Sequence, residues 1–267
     1  MAQLQLDTDK MIAKIEDGIG WMIYNQPEKR NAMSLAMRLA VPKILTEFQN
    51  NPEVRVVVMT GAGDKAFVSG ADISEFNEMR ATPEQIADYN AQGQRSADAF
   101  AALEKPLIAM IRGFCLGGGL ATALQADIRY CADNAEFGIP AARLGLGYPF
   151  DGVRKLTDIV GPAYAAEIFF TAGRFKAEQA HMMGLVNRVV PGDQLEALVR
   201  DTAKAIAGNA PLTVKAAKTN IREGRKDPAD RDMALCTARV EACMKSDDYK
   251  EGRSAFMEKR TPQFKGR

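Results

Sequence analysis

The chain has 267 residues, of which 46% are hydrophobic and 26% are charged. This composition is typical of a folded globular protein and excludes a disordered one, and the length suits one large domain or one domain with an appendage. The net charge of +1 provides no overall field that would attract nucleic acid or an anionic membrane.

Cysteine and histidine are too few and too scattered to suggest a metal centre. The four cysteines form no CxxC pair and His181 is the single histidine, so neither a zinc site nor a Ser-His-Asp mechanism is expected. No apolar run approaches the length of a membrane span, and the first residues have neither a basic start nor an apolar stretch. We therefore expect a cytoplasmic protein with reduced cysteines.

The first part of the chain alternates between strand and helix patterns. Residues 12–24 predict a β-hairpin that turns near Gly18. Residues 32–49 carry apolar side chains at helical spacing, and residues 55–60 form a short apolar, β-branched run that is typical of a buried strand. A glycine-containing loop over residues 61–73 follows.

The same alternation continues through the middle of the chain. Thr82 is a predicted N-cap, with Gln85 at capping-box spacing, for a helix that ends near residue 103. Strands are predicted at residues 107–111 and 127–131, on either side of a glycine triplet and a short helix. The pattern predicts an α/β fold in which parallel strands are covered by helices.

The last part of the chain is mostly helical from about residue 161, apart from a short predicted strand at 185–190. Pro191 interrupts the pattern, and the helices that follow are rich in charged residues. We therefore divide the chain into an α/β core, residues 1–194, and a helical C-terminal region, residues 195–267.

Two glycine-containing segments each follow a predicted strand and lead into a helix. They are residues 67–73 (FVSGADI) and 113–119 (GFCLGGG). Helix starts present unpaired N–H groups, so two starts that meet at one point would stabilise a developing oxyanion. Either segment alone is equally consistent with a tight turn or close packing. The triplet lacks the spacing of a dinucleotide-binding G-x-G-x-x-G loop.

Longer stretches around these segments resemble the crotonase, or enoyl-CoA hydratase/isomerase, family. The stretches are NQPEKRNAMS, GAGDKAFVSGADI, IAMIRGFCLGGGLATALQADIRYCADNAEFGIP, GLVNRVV and EGRSAFMEKRTPQF. They occur in the family's order and cover essentially the whole chain. The resemblance implies a crotonase-type spiral of ββα units with a helical C-terminal region.

The resemblance also implies a site. It assigns the oxyanion hole to the backbone N–H groups of Ala71 and Gly118, with coenzyme A entering as part of the substrate and with no further cofactor or metal. It places coenzyme A along Lys29, Ser69, Asp72, Ile73, Phe256 and Lys259. It further implies a homotrimer or a dimer of trimers, in which Phe256 and Lys259 reach the nucleotide of coenzyme A, often from a neighbouring subunit. From the residues alone, Asp72 is equally a helix cap, and the lysines are equally solvated surface charges.

Two positions depart from the family's pattern. Hydratases of this family use one glutamate just after the glycine triplet and a second after the FGxP motif, where this chain has Ala121 and Ala141. Alanine can neither give nor take a proton, so we do not expect a two-glutamate hydratase.

Tyr148 is the candidate that replaces them, because it aligns with a tyrosine in methylmalonyl-CoA decarboxylase-like members. Decarboxylation needs no general base, since the loss of carbon dioxide itself creates the enolate. A partly buried structural tyrosine is an equal interpretation, and Arg143 and Asp151 are further polar candidates.

The sequence thus predicts an acyl-CoA lyase that forms an oxyanion-stabilised enolate, with methylmalonyl-CoA-decarboxylase-like chemistry ahead of two alternatives. One is a hydratase that activates water through other groups. The other is a non-catalytic acyl-CoA-binding protein.

Overall fold

The computed structural model describes residues 2–75 and 81–267. This part of the chain contains eleven β-strands and nine α-helices. The strands are β1 (Ala2–Gln3), β2 (Met11–Glu16), β3 (Ile19–Tyr24), β4 (Val56–Gly61), β5 (Ala66–Val68), β6 (Leu107–Ile111), β7 (Phe114–Leu116), β8 (Ile128–Ala132), β9 (Glu136–Gly138), β10 (Phe175–Lys176) and β11 (Arg188–Val190). The helices are α1 (Leu35–Asn50), α2 (Pro83–Ala102), α3 (Gly118–Ala123), α4 (Phe150–Thr171), α5 (Ala177–Met182), α6 (Leu195–Gly208), α7 (Pro211–Gly224), α8 (Met233–Lys245) and α9 (Asp247–Glu258).

The strands form two sheets, and from β4 to β9 consecutive strands alternate between them. The seven-stranded sheet has the order β1-β2-β3-β4-β6-β8-β11, and the four-stranded sheet has the order β10-β9-β7-β5. The large sheet is parallel from β3 to β11, and β5, β7 and β9 are parallel in the small one. The pairs β4–β5, β6–β7 and β8–β9 each give one strand to each sheet and are followed by a helix. The ββα unit is therefore used three times.

The large sheet is covered on both faces. On one face, Met22 of β3 belongs to the main hydrophobic core together with Phe48 of α1. On the other face, Trp21 and Val58 belong to a second hydrophobic cluster together with Val199 of α6. Since both faces are buried, β4 is apolar at nearly every position instead of alternating between apolar and polar residues.

The long predicted elements are present with small shifts in their ends. Thr82 caps α2 and Gln85 completes the capping box, as predicted. The first helix begins at Leu35 rather than residue 32, because Ser34 is its N-cap and the preceding residues form a turn. The predicted loop over residues 61–73 contains β5, a strand that the sequence analysis missed.

The C-terminal helices are attached to the core by apolar contacts of α6 and by a buried lysine on α7. Lys218 Nζ donates to Asp127 Oδ2 at 2.7 Å and to the carbonyl of Lys105 at 2.6 Å. The same oxygen of Asp127 accepts from the N–H of Leu107 at 2.8 Å, at the start of β6. The division of the chain near residue 195 stays a prediction.

Within the described ranges, no helix is both long and apolar enough to cross a membrane. No group of three or more histidine, cysteine or acidic side chains in those ranges is arranged to hold a metal ion.

Replacing Lys218 by methionine is expected to lower the free energy of unfolding by about 2–3 kcal/mol, because Asp127 keeps its charge and loses its cationic partner. The side chain of Lys218 is 7% exposed and that of Asp127 is 32% exposed, so water offsets part of the loss. Urea unfolding followed by the fluorescence of Trp21, the single tryptophan, measures the change.

The control is Lys245→Met, which breaks an exposed pair with Glu241 on the same helix. Such a pair contributes less than about 0.5 kcal/mol. Equal destabilisation in the two variants would contradict the anchoring role of Lys218.

Candidate active site

The candidate site lies at one edge of the small sheet. Because β5, β7 and β9 are parallel neighbours, their carboxyl ends meet at the same edge. Ala71 follows β5, Gly118 follows β7, and Ala141 follows β9. The fold therefore brings together residues that the chain separates by up to 70 positions.

The first loop is fixed by a backbone bridge to Met33. The N–H of Met33 donates to the carbonyl of Gly70 at 2.8 Å, and the N–H of Asp72 donates to the carbonyl of Met33 at 3.0 Å. Successive N–H groups of an extended chain point to opposite sides. The N–H of Ala71 therefore points away from Met33. It has no acceptor in the part of the chain that the structure describes.

The second loop presents a further unbonded N–H. Gly117 has φ 51° and ψ −117°, a backbone conformation that requires glycine, and its N–H donates to the carbonyl of Gly138 at 2.8 Å. Gly118 is the first residue of α3, so its N–H has no partner within the helix, nor any acceptor elsewhere in the described ranges. A Cβ placed on Gly118 would lie 3.8 Å from the nitrogen of Ala71. The two unbonded N–H groups are therefore neighbours.

Gly119 allows this close approach. A Cβ at this residue would lie 1.9 Å from the carbonyl oxygen of Val68 in β5, so only glycine fits. In the sequence, Gly119 is distinguished only as part of the glycine triplet. A third glycine that neither turns the chain nor caps a helix is a signal of close backbone packing.

Asp72 is 6% exposed, and both of its carboxylate oxygens accept hydrogen bonds. Its Oδ2 accepts from Lys29 Nζ at 3.0 Å, and its Oδ1 accepts from the N–H and the hydroxyl of Ser74 at 3.1 and 2.6 Å. Burial raises the pKa of Asp72, but the hydrogen bonds from Ser74 and Lys29 outweigh burial and hold the pKa below its usual value. Ser74 was not predicted; the Asp-x-Ser spacing, typical of side chain-to-backbone turns, is the signal that identifies it.

Tyr148 lies in the segment that leaves β9. Its ring packs edge-on against Phe169 of α4, with ring centroids 5.1 Å apart. Burial raises the pKa of Tyr148 to about 12. Its hydroxyl has no hydrogen-bond partner among the residues of the described ranges. The hydroxyl is therefore protonated at neutral pH and available as a donor.

The two alanines that depart from the family's pattern lie close to the unbonded N–H groups. Ala121 is one helical turn after Gly118 in α3, and Ala141 is buried in the turn that follows β9. Arg143 and Asp151 are exposed and form no ion pair with any residue in the described ranges. Because α4 begins at residue 150, Asp151 lies inside its first turn and makes no capping hydrogen bond.

The predicted coenzyme A contacts fall in two places. The first group comprises Lys29, Ser69, Asp72 and Ile73, which lie on or beside the first loop. The second group comprises Phe256 and Lys259, at the end of α9. In the tail that follows α9, the carbonyl of Phe264 accepts from Arg55 Nη2 at 3.5 Å, at the amino end of β4. Within the described ranges, no hydrogen bond or ion pair joins the two groups.

A family model and the sequences of known proteins match this chain over most of its length. A family model described as enoyl-CoA hydratase/isomerase matches residues 14–267. The crotonyl-CoA hydratase of Syntrophomonas wolfei is 34% identical over 256 residues, which cover 96% of this chain and 98% of the relative. The carnitinyl-CoA dehydratase of Salmonella typhi is 35% identical over 243 residues, which cover 90% of this chain and 92% of the relative.

A solved structure of an enoyl-CoA hydratase/carnithine racemase from Magnetospirillum magneticum superposes with a TM-score of 0.91. Its sequence identity is 33%, and the match covers 99% of this chain and 97% of that one.

Replacing Gly119 by alanine is expected to lower the free energy of unfolding by about 2–3 kcal/mol, because the methyl group forces α3 away from the carbonyl of Val68. Urea unfolding measures the loss. The control is Gly147→Ala, where a Cβ meets nothing within 4 Å. That variant should change stability by less than about 0.5 kcal/mol. Similar stabilities of the two variants would show that the close approach at Gly119 does not matter.

Proposed function

Because the chain belongs to the enoyl-CoA hydratase/isomerase family, we propose that it converts an acyl-CoA thioester through an enolate that its oxyanion hole stabilises. The predicted family and the predicted crotonase-type fold are both confirmed by the comparisons. Coenzyme A enters as part of the substrate, no further cofactor takes part, and the enzyme is cytoplasmic.

The proposal is carried by the two neighbouring, unbonded N–H groups of Ala71 and Gly118. In this role they donate hydrogen bonds to the thioester carbonyl oxygen, whose negative charge grows as the enolate forms. Main-chain donors that are held in place before the reaction need no reorganisation when the charge develops. Each such donor typically contributes about 3–4 kcal/mol to transition-state stabilisation.

The proposed reaction is the loss of carbon dioxide from a substrate that carries a carboxylate on its α-carbon. The bond between the α-carbon and the carboxylate breaks, its electron pair passes into the enolate, and carbon dioxide leaves. No side chain has to remove a proton, which suits a site with Ala121 and Ala141 beside the hole. The enolate then takes one proton at the α-carbon and becomes the product thioester.

Tyr148 is the proposed donor of that proton. Its pKa of about 12 keeps the hydroxyl protonated, and the hydroxyl has no partner in the described chain that would compete for it. After the transfer, water restores the proton to the tyrosinate. The geometric support is that Tyr148 lies on the segment that leaves β9, at the same sheet edge as the hole.

A second candidate reaction is the reversible addition of water to an enoyl-CoA. The names of the relatives, crotonyl-CoA hydratase and carnitinyl-CoA dehydratase, favour it. In this chain such a reaction requires a group other than the side chains at 121 and 141 to activate the water. Arg143, Tyr148 and Asp151 are the polar residues on the segment between β9 and the first turn of α4.

We also propose that coenzyme A lies along the first loop and that the site is completed between subunits of a homotrimer or a dimer of trimers. Ile73 is 73% exposed and Phe256 is 81% exposed, so both apolar side chains are accessible to a ligand or a neighbouring subunit. Lys259 follows α9 in the left-handed conformation, which directs the chain away from the helix.

Incubation of the enzyme with a panel of acyl-CoA thioesters in heavy water, followed by mass spectrometry, separates the candidate reactions. The panel includes methylmalonyl-CoA and crotonyl-CoA. We expect loss of carbon dioxide with a single deuterium gained at the α-carbon. Addition of water to crotonyl-CoA at an enzymatic rate would establish the second candidate instead. Tight coenzyme A binding without turnover of any thioester would show that the chain is a non-catalytic acyl-CoA-binding protein.

Tyr148→Phe is expected to lower kcat by about 100-fold and to leave coenzyme A affinity unchanged, because it removes only the proton donor. A pKa of about 12 also predicts that the wild type keeps its rate until the pH approaches that value, since the group works in its protonated form. Steady-state rates across the alkaline range measure both effects.

Tyr164→Phe is the matched control, because Tyr164 is a partly exposed tyrosine on the neighbouring α4. It should have wild-type rates. An unchanged kcat in Tyr148→Phe would assign Tyr148 a structural role.

A further inference from the structure

The amine of Lys29 is largely committed to partners within the protein. It donates to Asp72 Oδ2 and to the hydroxyl of Ser74, each at 3.0 Å. An ammonium group has three N–H donors, so these contacts use two of them. The family resemblance assigns Lys29 to coenzyme A, whereas its contacts point into the loop that carries Ala71.

We propose that Lys29 is a positioning residue for the thioester carbonyl, and that it acts through Asp72 on the N–H of Ala71. This inference rests on the proposed function, since it requires that Ala71 binds the carbonyl oxygen. Lys29 acts on the N–H of Ala71 in two ways: it fixes the position of Asp72, and it neutralises the charge of the Asp72 carboxylate.

The position of Ala71 depends on three contacts between its loop and residues 29–35. The bridge to Met33 holds the middle of the loop. The carboxylate of Glu75 accepts from the N–H of Leu35 at 2.8 Å and holds the end of the loop. Lys29 holds Asp72, which follows Ala71 directly. A displacement of Asp72 therefore changes the direction of the adjoining N–H of Ala71.

The charge of Asp72 matters because the carboxylate is buried next to the proposed hole. Its pairing with Lys29 is the one ion pair that Asp72 makes within the described ranges. An uncompensated carboxylate at this place would repel the negative charge that develops on the carbonyl oxygen. Lys29 removes that repulsion, so its loss should affect the rate of the chemical step more than the binding of coenzyme A.

Four variants test the inference with the thioester that the wild type turns over. Lys29→Met should lower kcat by about tenfold and change KM by less than about twofold, as expected for a misdirected donor. Lys29→Arg should keep most of the activity, because it retains the charge. The double variant Lys29→Met with Asp72→Asn should recover part of the loss relative to Lys29→Met. Asparagine keeps an acceptor for Ser74 and removes the unpaired charge.

The fourth variant, Lys65→Met, is the matched control. Lys65 is an exposed lysine between β4 and β5 whose amine has no partner in the described chain, and its removal should leave kinetics at wild-type values. A lysine that only contacts a coenzyme A phosphate gives the opposite pattern to a positioning lysine. In that case Lys29→Met raises KM, keeps kcat and gains nothing from Asp72→Asn, and this result would overturn the proposal.

An infrared measurement separates failure of this inference from failure of the proposed function. The probe is acetyl-CoA that is isotopically labelled at its carbonyl. Binding to the wild type should lower the carbonyl stretching frequency, and Lys29→Met should return it toward the value of the free probe. No shift in the wild type would reject the oxyanion hole. A full shift in both proteins would reject the positioning role alone.

Discussion

The backbone bridge between Met33 and the residues on either side of Ala71 is the contact on which the candidate site depends. It takes up the carbonyl of Gly70 and the N–H of Asp72, and so leaves the N–H of Ala71 directed away from Met33. The close approach of Gly119 to β5 then places a second unbonded N–H beside the first. Neither contact suffices alone to form the pair of donors. The bridge sets the direction of the Ala71 N–H, and the approach of Gly119 sets the distance between the two N–H groups. The approach of Gly119 follows from the neighbouring positions of β5 and β7 in the small sheet.

The long elements could be predicted from the sequence because each has its own local signal. The capping box of Thr82 and Gln85 defines the start of α2, and the apolar run of β4 is long enough to identify a buried strand. The small sheet could not be predicted in this way, since β5, β7 and β9 have only three residues each. Three residues do not establish an alternation, so periodicity predicts no strand at these positions. The family resemblance supplied the ββα arrangement that periodicity alone did not.

The site shows the same division between local and long-range information. The absence of carboxylates at Ala121 and Ala141 can be read directly, because it depends on residue identity alone. The ion pair of Lys29 with Asp72 joins residues 43 positions apart, and no local pattern predicts it. The roles of the N–H groups of Ala71 and Gly118 are harder still to predict from the sequence, since every residue except proline has a backbone N–H. Only the fold, or a resemblance that implies the fold, distinguishes these two from the rest.

That the two donors are main-chain groups has a consequence for how such an enzyme changes over evolutionary time. A mutation of a side chain leaves its own N–H in place unless it introduces proline or disturbs the backbone. The residues that transfer protons therefore vary independently of the group that stabilises the intermediate. A lineage can lose one reaction by exchanging two glutamates for alanines and still retain a framework on which another reaction arises. Gly119, where a Cβ would meet the carbonyl oxygen of Val68, is a part of this framework that selection has little freedom to alter.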